Sequence, residues 1–169
     1  VYTLCHMIFF LKNKFININN YNLKCAIGKR GRRKNKKEGD NFTPKGTYKF
    51  IGVYYRKDRI SKLETNLKKR VIKKNMGWCD DTRSKDYNKE IKFPFKYGAE
   101  KLYRSDNVYD IIIETNYNKF PTIKKRGSAI FIHVAKKNYG PTKGCIAMSK
   151  KDIKFFLKKI SKNDKIKIV

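Results

Sequence analysis

Alternation of apolar and polar residues, the pattern of a half-buried β-strand, recurs along much of the chain. Residues 15–28 alternate on both sides of Asn19 and Asn20, which tolerate the positive φ of a tight turn, so this stretch predicts a β-hairpin. β-Branched and aromatic residues favour strands elsewhere as well. Further predicted strands lie at residues 47–55, 108–115, 128–134, 146–148 and 165–169.

Helical spacing is clearest in the last part of the sequence. Ser149, with Asp152 three positions later, is typical of a helix start, and the apolar residues that follow share one helical face. Leucines at helical spacing also allow a helical stretch between residues 61 and 74. Strands still dominate, which predicts a mainly β fold: a single-domain sandwich or barrel-like sheet with a few peripheral helices. The apolar positions after Ser149 are Ile153, Phe156, Leu157 and Ile160.

Length and composition indicate one folded domain. A chain of 169 residues suits a single core, because a domain of about 150 residues buries roughly 70% of the surface that its unfolded chain exposes. A hydrophobic content of 40%, including 14% aromatic residues, excludes an intrinsically disordered chain even though 34% of the residues are charged.

The formal net charge of +29 points to a polyanionic partner, such as nucleic acid, an acidic lipid surface or an anionic wall polymer. Most lysines are spread along the chain beside Asn, Ile and Tyr, a pattern that coding bias also produces and that would form a solvated face. Only residues 29–37 are dense enough to act as a patch, and their mutual repulsion predicts an exposed loop. The candidate anion-binding residues are Lys29, Arg30, Arg32, Arg33, Lys34, Lys36 and Lys37.

The four cysteines, at positions 5, 25, 79 and 145, have neither the paired spacing of a zinc site nor the density of a disulfide scaffold. We therefore expect no metal and no cofactor. Cys25 alternates with Leu23 and Ile27, which predicts a core residue. No stretch approaches the ~20 apolar residues of a membrane-spanning helix, and the apolar run at residues 7–11 is too short for a secretory signal.

A thiol and an imidazole lie in one stretch that can make them partners. The strand predicted at residues 128–134 delivers His133 near its end, turn residues follow at 138–141, and Cys145 precedes the next short strand. A nucleophilic cysteine needs a base and backbone donors for the oxyanion, and Gly144 would let the chain approach a carbonyl closely. These residues alone leave a second interpretation open, a core cysteine and a strand-end histidine.

His133 followed by Thr142-x-Gly144-Cys145-Ile146 resembles the signature of the L,D-transpeptidase catalytic domain, the YkuD family. Residues 38–47 are similar to the family's early Gly-Asp-x-x-Thr-Pro-x-Gly segment, and residues 77–81 and 86–88 to segments of a bacterial branch of it. The similarity covers residues 7–160. Lys143 and Ala147 stand where many members have His and Arg.

The resemblance implies a catalytic domain over residues 7–169, with residues 1–6 as an N-terminal extension, and we expect a monomer. It implies that Cys145 attacks the amide before the terminal D-amino acid of a peptidoglycan tetrapeptide stem, forming a thioester. His133 would act as general base and acid, and Gly144 would give access to the oxyanion donors. An amine acceptor gives a cross-link, whereas water makes the same site an L,D-carboxypeptidase.

Several residues are candidates for substrate contacts. Residues 77–81 are predicted as a loop whose carboxylates would bind an ammonium group, although they would equally cap a turn or pair with local lysines. Residues 38–47 either border the substrate groove, as the resemblance implies, or form a plain strand-entry turn. The candidate substrate-binding residues are Trp78, Asp80, Asp81, Tyr139, Thr142 and Lys143.

Two alternatives concern location and function. Wall chemistry places such an enzyme in the cell envelope or periplasm, but no export signal is visible, and a cytoplasmic location is the alternative. A different class of function is a basic polyanion-binding protein with a vestigial transpeptidase site, which the charge of +29 and Ala147 would suit. Thiol reactivity separates the two, because an active-site thiolate should form well below the ordinary thiol pKa of about 8.5.

Overall fold

Strands form where apolar and polar residues alternate. The computed structural model describes residues 5–169, so most of the predicted N-terminal extension lies outside the described residues. One α-helix and one short 3-10 turn accompany the strands in the described part: α1 (Lys150–Lys159) and Lys137–Tyr139. In chain order the strands are β1 (Ile8–Lys12), β2 (Phe15–Ile18), β3 (Tyr21–Ala26), β4 (Arg32–Arg33), β5 (Thr43–Pro44), β6 (Gly46–Tyr55), β7 (Lys69–Val71), β8 (Met76–Cys79), β9 (Glu90–Lys92), β10 (Ala99–Lys101), β11 (Ile111–Thr115), β12 (Phe131–Val134), β13 (Ile146–Met148) and β14 (Lys165–Ile168).

Eight strands close into a barrel. Their order is β11-β12-β13-β3-β2-β1-β14-β6, and β6 pairs in turn with β11, while β7 is added alongside β6. Most neighbours are antiparallel, but β12 and β13 run parallel, as do β1 and β14. The predicted mainly β, barrel-like fold is therefore confirmed, and the β2–β3 hairpin turns at Asn19, whose φ is 50°.

The main core lies on one face of these strands and includes the apolar side of α1. Phe156 of the helix contacts the rings of Phe9 and Phe50 at centroid distances of 5.3 and 5.5 Å. Ser149 caps the helix, since its side chain accepts a 3.0 Å hydrogen bond from the backbone N–H of Asp152, as predicted. In residues 5–169 no helix combines the length and the apolar character needed to cross a membrane.

A second, smaller sheet covers the opposite face of the barrel strands. It has the order β10-β8-β9. The Trp78 ring of β8 packs edge-on against Phe131 of β12 at 5.0 Å, and both belong to a second cluster of buried residues with Tyr54 and Ile112. This cluster lies between the barrel and the small sheet, beside the stretch that carries the candidate nucleophile.

Two local predictions are wrong. No helix forms between residues 61 and 74: the segment is irregular up to β7, which pairs with β6, and Val71 is exposed whereas Leu63 and Leu67 are buried. The apolar repeat therefore does not form one helical face. Residues 77–81 are not simply a loop, because Gly77 to Cys79 belong to β8, which is hydrogen-bonded on both sides by β9 and β10.

The basic run at residues 29–37 is only partly the exposed loop that its charges predict. Arg30 and Arg33 lie over the Phe42 ring, with guanidinium carbons 4.7 and 5.0 Å from its centroid. Lys36 is only 7% exposed, and its ammonium pairs with Asp40 at 2.7 Å. Lys36 therefore does not belong to a solvent-facing patch.

Candidate active site

The parallel pairing of β12 with β13 brings His133 and Cys145 to the same face of the sheet. In this register His133 lies opposite Ala147. Side chains alternate along a strand, so Cys145, two residues before Ala147, points to the same side as His133. The packing agrees, since Cys145 contacts the second apolar cluster whereas its neighbour Ile146 belongs to the main core.

The imidazole of His133 is buried in a defined tautomer. Its Nδ1 lies 3.0 Å from the carbonyl oxygen of Val134. A carbonyl only accepts hydrogen bonds, so Nδ1 carries the proton and Nε2 keeps its lone pair. The Tyr109 ring packs against the imidazole at 5.4 Å and restricts its rotation. The histidine is thus held in the form that accepts a proton at Nε2.

The thiol of Cys145 is held by backbone groups of the strand that leads to His133. Its Sγ donates a hydrogen bond to the Ala129 carbonyl at 2.9 Å and accepts one from the Phe131 N–H at 3.4 Å. Ala129 has a φ of 50°, an uncommon conformation for a residue with a side chain. In this resting arrangement the thiol proton is directed to Ala129 and not to His133.

Burial keeps both groups neutral. It lowers the pKa of His133 to about 4. It also raises the pKa of Cys145 to about 12, an effect to which the charges of Glu100 and Glu38 add and which the Phe131 N–H and Lys36 oppose. Both shifts favour a neutral thiol and a neutral imidazole in the resting site, which is opposite to the low thiol pKa expected of an activated nucleophile.

The loop before the thiol is shaped by threonine hydroxyls. Thr142 Oγ1 donates to the Cys145 carbonyl at 2.6 Å and accepts from the Gly144 N–H at 3.1 Å. Thr43 Oγ1 donates to the Gly144 carbonyl at 2.8 Å. Gly144 has a φ of 144°, and a Cβ there would lie 2.9 Å from the Phe42 carbonyl oxygen. Only glycine fits this position, and residues 38–47 pack directly against the loop that carries Cys145.

A buried asparagine supports Ala129 from behind. Asn88 Oδ1 accepts hydrogen bonds from the Ala129 N–H at 3.0 Å and from Trp78 Nε1 at 3.1 Å. Trp78 is 1% exposed, so its observed role is to pack the cluster and hold Asn88. The segments around residues 77–81 and 86–88 therefore hold the backbone of Ala129, whose carbonyl accepts the hydrogen bond from the Cys145 thiol.

The carboxylates of Asp80 and Glu100 differ in exposure and in hydrogen bonding. Asp80 is exposed, and in the described part of the chain its side chain has no hydrogen bond or salt bridge. Glu100 accepts a 2.7 Å hydrogen bond from the Tyr109 hydroxyl. Burial raises the pKa of Glu100, the charge of Asp80 adds to that shift, and Lys143 opposes it. The charges of Asp80 and Lys143 therefore both act on Glu100.

The other sequence-predicted contacts lie elsewhere. Asp81 accepts two hydrogen bonds from the Arg83 guanidinium, which hold the pKa of this carboxyl well below its usual range, and one from the Gly98 N–H. It therefore caps a local turn, the alternative that the sequence left open, with arginine as the partner. Tyr139 is half-buried in the 3-10 turn, where the Lys24 ammonium lies 4.7 Å from its ring centre.

Sequence reasoning did not find several residues of this site. Thr43 and Asn88 lie in segments that resemble the family, but no pattern indicated their hydrogen bonds. Glu100 and Tyr109 come from separate strands and loops, and no local signal in the sequence marks them. Among residues 5–169, no group of three His, Cys, Asp or Glu side chains is arranged to hold a metal ion.

This chain is similar to known proteins. A family model described as the L,D-transpeptidase catalytic domain, YkuD, matches residues 5–168. A crystal structure of Mycobacterium tuberculosis L,D-transpeptidase 1 is similar over 96% of this chain, with 11% identity and a TM-score of 0.45. An L,D-transpeptidase from Mycobacterium smegmatis is similar over 97% of this chain, with 11% identity and a TM-score of 0.46. The chain spans 58% of the length of each. A search of curated proteins found no match.

The support of Ala129 by Asn88 can be tested through stability. Asn88→Ala removes the acceptor of two donors, and because each unpaired donor costs about 1–3 kcal/mol, we expect the free energy of unfolding to fall by about 2 kcal/mol or more. Urea denaturation measures it. Asn41→Ala is the control, since Asn41 has the same φ of 60° but only a long, exposed side-chain hydrogen bond. Equal losses in the two variants would contradict this role.

Proposed function

Because this chain belongs to the L,D-transpeptidase (YkuD) family, we propose that it is a cysteine transpeptidase acting on the tetrapeptide stems of peptidoglycan. The observation that carries the proposal is the placement of His133 and Cys145 on one face of two adjacent parallel strands, with Nε2 of His133 free to accept a proton. The alternative of a buried structural cysteine fits less well, because residue Cys145 as a whole is partly exposed whereas Cys25 is 1% exposed in the core.

In the first half-reaction the sulfur of Cys145 attacks the carbonyl carbon of the amide before the terminal D-amino acid. Rotation of the thiol away from Ala129 delivers its proton to Nε2 of His133 as the new C–S bond forms. We assign the backbone N–H of Cys145, which directly follows Gly144, to stabilise the oxyanion. The C–N bond then breaks, the imidazolium protonates the departing amine, and a thioester is left.

In the second half-reaction an acceptor amine attacks the thioester. His133 takes a proton from the amine, the C–S bond breaks, and the proton returns to the sulfur of Cys145.

We assign Asp80, together with Glu100, to attract the ammonium of a diamino-acid acceptor. Lys143, exposed two positions before the thiol, is assigned to the terminal carboxylate of the donor. Water as acceptor would make the same site a carboxypeptidase, and either reaction places the enzyme at the cell envelope.

A basic groove next to the site supports a contact with an anionic wall polymer. The groove has a volume of about 930 Å³ and combines residues 34–38 with residues 123–126. Five of its cations are exposed, and in residues 5–169 none of them has a salt-bridge partner. Glu38 is the only acid in its lining, and it accepts a hydrogen bond from Tyr87. The exposed cations are Lys34, Lys37, Lys124, Lys125 and Arg126.

The nucleophile is tested by intact mass after incubation with a carbapenem. The family resemblance implies that such a β-lactam acylates the nucleophile. We expect one adduct on the wild-type protein, located at Cys145 by peptide mapping, and none on Cys145→Ser. Circular dichroism should show that the variant is folded, because the thiol makes only two hydrogen bonds. An adduct on Cys79 or Cys25 with Cys145 unmodified would overturn the assignment.

The base is tested by the pH dependence of the same acylation. With Cys145 at a pKa of about 12, the thiolate is scarce at pH 7, so removing the base in His133→Gln should slow acylation by roughly 10²-fold or more. The variant should then depend on spontaneous ionisation, and its rate should rise about tenfold per pH unit between pH 7 and 10. Wild-type protein should vary much less over this range. Coincident profiles for the two proteins would exclude His133 as the base.

The basic groove is tested with two variants of equal net charge. Changing Lys34, Lys37, Lys124 and Lys125 to Gln should weaken binding to purified peptidoglycan, most clearly at low salt, because exposed charges are screened beyond a Debye length of about 8 Å at physiological ionic strength. The control changes Lys12, Lys68, Lys151 and Lys162 to Gln, all exposed and none lining the groove. Sedimentation with the polymer measures binding. Equal weakening would mean that overall charge, and not the groove, attracts the polymer.

A further inference from the structure

A buried cation lies against the loop that carries Cys145. Lys36 is 7% exposed. Its ammonium donates to Asp40 Oδ1 at 2.7 Å and to the Lys37 carbonyl at 3.4 Å. Asp40 Oδ1 and Oδ2 also accept from the backbone N–H groups of Phe42 and Lys37. The ion pair is therefore fixed by the backbone on its acidic side, and the ammonium cannot swing into solvent without breaking it.

The side chain of Lys36 passes between two glycines. A Cβ at Gly127 would lie 2.9 Å from Lys36 Cε, and one at Gly144 would lie 3.2 Å from Lys36 Nζ. Both glycines have positive φ, 97° and 144°, so neither position suits another residue. The two glycines thus form a channel for the Lys36 side chain. The ammonium of Lys36 lies against Gly144, directly before Cys145.

The charge of Lys36 opposes the acidic groups that face the thiol. Glu100 from β10 and Glu38 from the preceding loop both disfavour negative charge on Cys145, whereas Lys36 favours it. Tyr109, whose charge would act on Cys145, and His133 are both uncharged at neutral pH because burial raises the pKa of Tyr109 and lowers that of His133. Burial of the Asp40 carboxyl raises its pKa, but hydrogen bonds from Lys36 and from backbone N–H groups lower it by more. The net effect is a lowered pKa of Asp40, so the Lys36–Asp40 pair stays charged.

We propose that Lys36 is a positioning residue of the reaction, whose buried ammonium holds the Gly144 backbone and supplies a fixed positive charge that favours the anionic sulfur of Cys145. The inference rests on the proposed function of Cys145 as the nucleophile. Packing alone does not require an ammonium here, since buried ion pairs can often be replaced by apolar side chains of similar volume at little cost in stability. Methionine would fill the same channel between the glycines without the charge.

The first experiment measures alkylation of Cys145 by iodoacetamide against pH, in a Cys5→Ser background that removes the exposed thiol. Lys36→Met should slow alkylation at pH 8 by about tenfold, the effect of one pKa unit, which is the lower end expected for losing a nearby opposite charge. Lys45→Met is the matched control: it removes one charge from an exposed lysine of the same segment. Its rate should stay within about twofold of the parent, because an exposed charge is screened.

A second variant changes the sign of the effect. Asp40→Asn leaves Lys36 without its counter-ion, so the ammonium acts on Cys145 unopposed and alkylation should become faster than in the parent. A purely structural Lys36 predicts otherwise, because loosening the loop would expose the thiol and speed alkylation in both variants. If thermal melts show that Lys36→Met does not fold, Lys36→Gln takes its place, and alkylation of the folded Lys36 variant no slower than in the parent overturns the proposal.

The outcome is separable from the proposed function. A wild-type carbapenem adduct on Cys145, together with equal alkylation rates for Lys36→Met and Lys45→Met, overturns the role of Lys36 and leaves the transpeptidase assignment standing. A charge effect of Lys36 on alkylation without any adduct on the wild-type protein overturns the proposed function and, with it, the role of Lys36 in the reaction. Both a charge effect and an adduct are the results expected.

Discussion

The parallel pairing of β12 with β13 is the constraint on which the site depends. The register that sets His133 opposite Ala147 puts the imidazole and the Cys145 thiol on one face, while the alternate residues Ile132 and Ile146 enter the main core. A shift by one residue would exchange these faces, burying the histidine in the barrel core and exposing isoleucines. The core therefore fixes the register, and the register brings the two reactive groups together.

The segments that resemble the family outside this pair, together with Lys36, act on the backbone around it. Thr43 binds the Gly144 carbonyl, Lys36 and Phe42 leave room only for glycine at that position, and Asn88 holds the Ala129 N–H behind the thiol. None of these contacts requires the side chain to meet a substrate. Together these contacts fix the backbone at Gly144, at Cys145 and at Ala129, whose carbonyl accepts the hydrogen bond of the resting thiol. Ala129 has an unusual positive φ.

The sequence predicted what local patterns determine. Alternation gave the hairpin, β6 and β14, the capping pair Ser149 and Asp152 gave α1, and together they indicated a mainly β, barrel-like fold. Contacts between distant segments could not be predicted from local patterns. The run of basic residues predicts exposure, yet Lys36 is buried because Gly127 and Gly144 form a channel for its side chain. Leucine spacing predicted a helix at residues 61–74, but pairing of β7 with β6 determines the structure there. Glu100 and Tyr109 meet only through the fold.

The resting site is protonated and buried, and this is compatible with nucleophilic chemistry. A thiolate stable at neutral pH would need a charged partner, but burial disfavours the imidazolium and the thiolate alike. A neutral pair avoids that desolvation cost, and in the proposed reaction it would transfer the proton only as the sulfur bonds to carbon, when negative charge moves from sulfur to the substrate oxygen. In that proposed reaction the backbone donors and the Lys36 ammonium would act on charge that develops as the bonds change, where a preorganised environment has its largest effect.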